Sequence, residues 1–192
     1  MIVEILVGLN VLIHILQYTI PGFTELFMFD PSRPFEIWRF FTSMFLHIGF
    51  FHLFVNMYGL FIFGKSVEKK TNLFVLFIVC GLAGNLLYLA MAQMGVIGMI
   101  PAVGASGAVY GILGAFVVLY PDAKLYMLFF PVGLSGKTAA IIYGLFEFGT
   151  MFLDDGIGHA AHLGGLIIGF LFAKFLIKKT FEYYRPYDTI YQ

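Results

Sequence analysis

One serine and one histidine, each in an apolar segment, are the residues of this chain best suited to chemistry. Ser106 lies in GASG at residues 104–107, and His162 lies in HAAHLGG at residues 159–165. Polar groups inside a membrane segment are costly, so they normally face the interior of a helix bundle and mark a functional site. A serine next to a histidine base is a common activated nucleophile. The two residues therefore predict hydrolytic chemistry.

The surroundings of Ser106 favour a developing negative charge. The residue stands at the predicted start of a helix, where backbone N–H groups lack partners and the helix dipole is positive. An oxyanion site has these requirements, and the backbone N–H of Ser106 would take part in it. The alternative is that Ser106 is only a helix N-cap, a position that serine prefers. The segment does not fit the G-x-S-x-G turn of soluble α/β hydrolases.

Two further polar residues, His52 and Asn56, are four positions apart and share one face of a predicted helix. Either side chain could donate a hydrogen bond to an oxyanion. A buried asparagine more often forms a hydrogen bond between helices, and that alternative stays open for Asn56. We expect His47 to pack or to anchor a loop.

A carboxylate that would complete a catalytic triad is hard to find among the aspartates. All five lie in predicted loops or in the tail: Asp30, Asp122, Asp154, Asp155 and Asp188. Asp155 is seven residues before His162, which corresponds to about 10 Å in a helix and is too far for an orienting hydrogen bond. The sequence therefore predicts a dyad of serine and histidine.

Paired glycines are expected to bring the two residues together. Gly107 and Gly111 follow Ser106, and Gly165 and Gly169 follow His162, so each pair forms a G-x-x-x-G motif. This motif lets membrane helices approach closely, which would carry His162 to Ser106. Ordinary helix packing without chemistry is the alternative meaning of the same glycines.

The composition is that of an integral membrane protein. Of the 192 residues 60% are hydrophobic and 11% charged, and the mean hydropathy is +0.92. Because a bilayer core of about 30 Å needs about 20 helical residues, we predict a single all-α domain over residues 1–192. Its six spans are predicted near residues 2–20, 44–63, 73–93, 106–120, 137–153 and 159–177. Cys80 is the only cysteine, so no intrachain disulfide can form.

The fourth predicted span is short, at about 22 Å for residues 106–120. We therefore expect the segment before it, residues 98–104, to dip below the membrane surface and to border a wet cavity with Ser106 at its floor. The long segment between the first two spans, residues 21–43, is rich in aromatic residues and proline. We predict that it is a structured loop at the membrane surface.

Lysine and arginine predict the orientation. With the N-terminus inside, nine of these residues fall on the inner side: Lys65, Lys69, Lys70, Lys124, Lys137, Lys174, Lys178, Lys179 and Arg185. Arg33 and Arg39 are the two on the outer side. The positive-inside rule then predicts a multi-pass protein of the cell membrane with both termini cytoplasmic. The net charge of zero offers no basic patch for nucleic acid.

At these residues the chain resembles the rhomboid family of intramembrane serine proteases, in its minimal six-transmembrane form. The matching segments follow the family order: Trp38 with Arg39, His47 with His52 and Asn56, residues 104–107 with Tyr110, and residues 161–165. The resemblance implies Ser106 as the nucleophile and His162 as the general base. It also implies that Tyr110 packs on the imidazole and orients it. Glu68 resembles a recurring family position at the inner end of the second span.

The resemblance further implies the substrate and the route by which it enters. The oxyanion would be held by the backbone N–H of Ser106 and by His52 and Asn56, without any cofactor or metal. The partners would be the lipid bilayer and transmembrane-segment proteins, cleaved near the outer face. The fifth span and the loop at residues 154–158 would act as gate and cap, with the aromatic residues Tyr143, Phe146, Phe148 and Phe152 on that span.

Two other functions remain as alternatives. One is a metal or haem site built from His47, His52, His159 and His162, since histidine pairs can hold such groups. No H-E-x-x-H motif or intramembrane carboxylate cluster is expected to accompany them. The other is a non-catalytic transporter or scaffold. A transporter would often show inverted repeats, which this sequence lacks, and a scaffold would need no pairing of Ser106 with His162.

Overall fold

The computed structural model describes residues 1–127, 130–153 and 155–188, and it is mostly helical. In chain order its helices are α1 (Ile2–Thr19), α2 (Phe23–Phe27), α3 (Trp38–Thr42), α4 (Phe50–Val67), α5 (Leu73–Gln93), α6 (Ser106–Leu119), α7 (Gly136–Thr150) and α8 (His159–Asp188). A 3-10 turn covers Ser43–Phe45. The strands β1 (Lys124–Met127) and β2 (Phe130–Ser135) form an antiparallel hairpin.

Among the described residues, four helices are long and apolar enough to cross a membrane: α1, α4, α5 and the part of α8 from His159 to Leu176. Large apolar side chains cover much of the surface; Phe51 and Leu145, for example, are 76% and 66% exposed. Such a surface is suited to lipid contact, because a monomeric soluble protein rarely exposes large apolar patches. The chain is therefore a multi-pass membrane protein, as predicted. The helices α6 and α7 have 14 and 15 residues, and the prediction of six crossings stays a prediction.

Two local structures differ from the sequence-based expectations. The second predicted span began at residue 44, whereas α4 begins at Phe50. The backbone N–H of His47 donates to the Oε1 atom of Gln17 at 2.9 Å, which replaces a helical hydrogen bond. The hairpin was not predicted either, so the all-α expectation misses one small element. Its backbone groups pair across the strands, with Lys124 opposite Ser135.

The short helix α6 occupies the centre of the bundle. It packs against α4, α5, α7 and α8, and every residue from 107 to 117 except Tyr110 is buried. Small residues let the neighbouring helices come close, since Gly107, Gly111 and Gly114 all belong to this helix. The first residue of α6 is Ser106, so the centre of the bundle carries the candidate nucleophile at one end.

Buried polar side chains hold the segment between α1 and α4 in place. Arg39, 3% exposed, donates from Nη1 to the backbone oxygens of Glu25 and Met28, both at 2.8 Å. Asn85 of α5 donates from Nδ2 to the backbone oxygen of Phe40 at 2.7 Å. These bonds satisfy backbone carbonyls that no regular helix pairs. The segment is therefore anchored to the helix bundle.

Glu68, at the end of α4, joins that helix to the start of α1. Its Oε2 atom accepts hydrogen bonds from the backbone N–H groups of Ile2 at 3.0 Å and Val3 at 3.3 Å. A carboxylate is favourable at this place, because the N-terminal end of a helix carries free donors and a positive dipole. The contact fixes the two helices together at the end of α4 opposite His52.

Candidate active site

Ser106 and His162 are directly hydrogen-bonded. The Nε2 atom of His162 lies 2.7 Å from the Oγ atom of Ser106, although the two residues are 56 positions apart. Ser106 is the first residue of α6, and His162 lies in the first turn of α8. The distance is that of a well-formed O–H to N hydrogen bond. It is also the distance at which a base can take the proton of a nucleophile.

Glycines bring these two helices together, backbone against backbone. A Cβ atom on Gly165 would lie 1.8 Å from the backbone oxygen of Gly107. A Cβ atom on Gly169 would lie 1.8 Å from the backbone oxygen of Gly111. No side chain fits at either position. The G-x-x-x-G segments of α6 and α8 thus face each other along the same contact that pairs Ser106 with His162.

Ser106 is a helix residue and not a helix cap. The N-cap of α6 is Ala105, and no side chain caps that end of the helix. The Oγ atom of Ser106 faces His162 instead of the backbone. The interpretation of Ser106 as an N-cap is therefore wrong: its hydroxyl pairs with His162, and no side chain accepts from the first N–H groups of α6.

The segment before α6 is shaped around a glycine. Gly104 has a left-handed φ of 137°, and its N–H donates to the backbone oxygen of Ser43 at 2.9 Å. A Cβ atom at this position would lie 2.9 Å from Cε1 of His52. Both the backbone conformation and the lack of space require glycine here. The imidazole of His52 therefore lies directly against the turn that leads into Ser106.

A cavity of about 500 Å³ joins the candidate residues. Ser106, His162, His52 and Asn56 all line it, together with backbone of the segment around Gly104. Such a volume is within the range of small-molecule and substrate sites. The polar groups thus converge on one cavity at the N-terminal end of α6. That this cavity holds water, with Ser106 at its floor, stays a prediction.

Hydrogen bonds define which protons His52 and Asn56 can offer. The backbone N–H of Ile48 donates to Nδ1 of His52 at 3.4 Å, so the proton of the neutral ring is on Nε2. Nε2 is also the ring nitrogen nearest to Gly104. The Nδ2 atom of Asn56 donates to the backbone oxygen of His52 at 2.9 Å. An amide nitrogen carries two protons, so one donor of Asn56 remains for the cavity.

Tyr110, one turn after Ser106, stacks on His162. The ring centroids are 4.5 Å apart and the ring planes differ by 5°. A second tyrosine, Tyr143 of α7, meets the Tyr110 ring edge-on at 6.2 Å. The His162 ring thus lies against the Tyr110 ring while its Nε2 atom faces the serine.

An acidic residue that the sequence analysis missed lies next to the base. Glu147 of α7 is 1% exposed, and its Oε2 atom is 2.6 Å from Nδ1 of His159 and 3.1 Å from Nδ1 of His162. The second contact has the distance of an ion pair but not the direction of a hydrogen bond, because Nδ1 of His162 has no hydrogen-bond partner. The signal in the sequence was a carboxylate inside an apolar span, which none of the five aspartates provides.

Asp155 contacts the other histidine. Its Oδ2 atom lies 3.1 Å from Nε2 of His159. The backbone N–H of Ile157 and then the side chain of His159 hold the pKa of the Asp155 carboxyl below its usual value. The neighbouring Asp154, which began the predicted cap, lies outside the described residues. Gly156 and Ile157 line the cavity, so this loop borders the candidate site.

The four histidines of the metal alternative do not form one cluster. In the part of the chain that the structure describes, the only group of three possible ligands is Glu147, His159 and His162, within 4.8 Å of one another. Their atoms already pair with one another and with Ser106. One buried carboxylate, that of Glu147, therefore accompanies two of the four histidines, and it contacts both imidazoles.

The predicted gate helix exposes aromatic residues. Phe146 and Phe148 of α7 are 57% and 55% exposed, and Phe152, two residues after its end, is 60% exposed. The helix α7 packs against α8 and α6 through its other face. Its role as a gate stays a prediction.

A serine hydrogen-bonded to a buried imidazole within a bundle of membrane helices is the arrangement of a hydrolase site, and comparison with known proteins identifies the family. The Rhomboid domain family model matches residues 34–179, which include every candidate site residue. The chain belongs to the rhomboid family.

Several curated proteins are similar to this chain. Rhomboid protein 1, mitochondrial, of Saccharomyces cerevisiae is 35% identical over 143 residues, which is 71% of this chain and 41% of the yeast protein. RHOMBOID-like protein 1 of Arabidopsis thaliana is 32% identical, over 78% of this chain and 37% of the plant protein. Rhomboid protease GluP of Bacillus subtilis is 31% identical, over 73% of this chain and 26% of the bacterial protein. The matched region spans less than half the length of each of these relatives.

Proposed function

We propose that this chain is an intramembrane serine endopeptidase that cleaves single-pass transmembrane substrates with Ser106 and His162. The observation that carries the proposal is the 2.7 Å hydrogen bond between Nε2 of His162 and Oγ of Ser106 in the wall of the cavity. Membership of a family with relatives named as proteases supports it. The same chemistry in water-soluble proteases uses a serine, a histidine base and an oxyanion site.

The proposed reaction follows from the positions of the two side chains. His162 takes the proton of Ser106 at Nε2 while Oγ attacks the carbonyl carbon of the scissile peptide bond. The protonated imidazole then gives that proton to the leaving nitrogen, which releases one product and leaves an acyl-enzyme. Water, deprotonated by His162, hydrolyses the ester and regenerates Ser106.

The negative charge on the carbonyl oxygen would be held by three donors. These are the backbone N–H of Ser106, Nε2–H of His52 and the second amide proton of Asn56. Preorganised donors act strongly here, because a pocket enclosed by helices screens their charges less than bulk water does. Tyr110 would keep the imidazole facing the serine throughout the cycle.

We further propose six crossings, with α6 and α7 as the two short ones. Nine lysine and arginine residues then lie on the side of the termini and two on the other. Ser106 and His162 would lie near the outer face, where the cavity admits water and an unwound substrate segment. A relative named as mitochondrial and one from Bacillus subtilis match at similar identity. We therefore propose the orientation in the membrane but assign no particular cellular membrane.

A fluorophosphonate probe tests the nucleophile directly. The purified wild-type protein should be labelled at one serine, and Ser106→Ala should abolish the labelling. Ser32→Ala is a matched control, since Ser32 is exposed in the loop before α3, and it should be labelled like the wild type. Labelling that survives in the Ser106→Ala protein would refute the assignment.

Cleavage of a transmembrane substrate distinguishes the protease from a scaffold or a metal protein. In liposomes the wild type should cut a single-span model substrate, and Ser106→Ala should retain folding but lose cleavage. Treatment with a chelator should leave cleavage unchanged. Cleavage by the Ser106→Ala protein, or its loss with the chelator, would contradict the proposal.

A further inference from the structure

The buried carboxylate of Glu147 is the charged group that the proposed reaction does not yet use. It lies near the middle of α7, and 1% of its surface is exposed. An ionised side chain at such a place is costly unless it is paired, and within membrane segments it marks a functional site. Its partners are histidines: Nδ1 of His159 at 2.6 Å and Nδ1 of His162 at 3.1 Å. The hydroxyl of Tyr110 also interacts with it.

His159 lies between two carboxylates, and their positions determine how many protons its ring carries. Nδ1 faces Glu147 and Nε2 faces Asp155 at 3.1 Å. A neutral imidazole can donate from one nitrogen only, whereas carboxylates accept and do not donate. Both contacts are satisfied when His159 carries two protons. Thr150, whose Oγ1 lies 3.1 Å from the same Nδ1, donates its own proton to the backbone oxygen of Phe146 at 2.7 Å.

Near the proposed base, negative charges then outnumber positive charges in the resting protein, and the two are equal once His162 is protonated. Glu147 and Asp155 carry two negative charges, and His159 carries one positive charge. When His162 takes the proton of Ser106, it supplies the second positive charge 3.1 Å from Glu147. Because charges interact strongly in a poorly screened site, this arrangement favours the protonated form of His162 that the reaction requires.

We propose that Glu147 is a positioning residue for His162, so that the site works as a serine, a histidine and a glutamate from α6, α8 and α7. Its carboxylate holds a proton on Nδ1 of His162, which leaves Nε2 as the acceptor for Ser106. It also stabilises the imidazolium that forms. The inference rests on the function proposed above. The present contact lacks hydrogen-bond direction, and such contacts in free enzymes often align only when the substrate is bound.

Conservative variants separate positioning from structure. Glu147→Gln keeps the shape and one acceptor but removes the charge, and Glu147→Asp keeps the charge but withdraws it by one methylene. We expect Glu147→Gln to lower kcat roughly 10- to 100-fold with KM and the melting temperature nearly unchanged. The kcat of Glu147→Asp should lie between that of Glu147→Gln and that of the wild type. The control Glu25→Gln makes the same chemical change at an exposed position of α2 and should not alter kcat.

Two results would overturn the assignment. One is a kcat of Glu147→Gln equal to that of the wild type. The other is a loss of kcat in both variants that simply follows a loss of folded protein, which a structural role alone would produce. Absence of cleavage by the wild type, or cleavage by Ser106→Ala, would instead refute the proposed protease function.

A second measurement requires no turnover. In the Ser106→Ala protein, where no hydroxyl faces Nε2, ¹⁵N spectra of labelled histidine should show the neutral ring of His162 protonated at Nδ1. A His162→Asn variant identifies the signal by its loss. A ring protonated at Nε2 would overturn the inference even if Glu147→Gln failed to fold.

Discussion

Replacing Gly165 by alanine tests whether backbone contact between α6 and α8 sets the geometry of the site. The added Cβ atom would lie 1.8 Å from the backbone oxygen of Gly107, and real Cβ atoms essentially never approach a neighbour within 3.0 Å. The obstacle is a backbone atom of the central helix, which cannot turn away as a flexible side chain can. The two helices must therefore separate.

The size of the effect follows from these distances. Relief of the clash to 3.0 Å requires a shift of about 1.2 Å, because close-packed interiors have no spare volume to absorb it. His162 precedes Gly165 by one turn of the same helix. If the shift reached it in full, the 2.7 Å separation from Ser106 would grow to about 3.9 Å, beyond hydrogen-bond reach. A misplacement of about 1 Å can slow an enzyme about 100-fold, and overpacking costs about 1–3 kcal/mol of stability.

The assay is the rate of fluorophosphonate labelling at Ser106, measured well below the melting temperature so that only folded protein contributes. Gly8→Ala is the matched control, because α1 has open space where that Cβ atom would be placed. We expect the control to react at the wild-type rate and Gly165→Ala to react about 100-fold more slowly. Wild-type reactivity in folded Gly165→Ala would refute the claim that this contact positions the base.

Three further substitutions probe the surroundings of the pair. Tyr110→Phe should keep the stacked ring and most of kcat, whereas Tyr110→Ala should lower kcat at least about 10-fold by freeing the imidazole of His162; comparison of the two turnover rates is the check. Asn56→Ala should lower kcat by about 100- to 1,000-fold with little change in KM, if it removes an oxyanion donor, and an equal rise in KM would point to substrate binding instead. Arg39→Ala should destabilise the fold by about 3 kcal/mol, since it removes a buried charge from its carbonyl and carboxylate partners, and an unchanged denaturation midpoint would contradict that account.

Local patterns in the sequence were enough to predict much of the molecule. The helix α5 covers Leu73–Gln93, the range expected from hydropathy alone. The glycine spacing on the fourth and sixth predicted spans indicated which helix faces would meet, because a residue without a Cβ atom lets another helix backbone come close. Ser106 and His162 meet at this contact, and His52 and Asn56 of α4 line the same cavity. Each of these features depends on residues close together in sequence or on the glycine contact between α6 and α8.

What the sequence did not reveal depends on tertiary partners. The helix α4 begins at Phe50 and not at residue 44, because a 3-10 turn at Ser43–Phe45 and the bond of His47 to Gln17 of α1 come first. The strand β2 contains Pro131, which normally argues against a strand, and no alternation of polar residues marks it. Glu147 was visible as a charge in an apolar span, yet its two histidine partners could be recognised only from the packing of α7 on α8.

The separation of Ser106 and His162 along the chain also has a consequence for biosynthesis. The serine precedes the histidine by 56 positions, with α7 between the helices that carry them. During translation, a chain that has delivered its residues up to the end of α6 to the membrane, but not yet α8, holds the Ser106 hydroxyl without the His162 imidazole. The proposed peptidase would therefore stay inert among the unfinished polypeptides around it until α8 has been inserted.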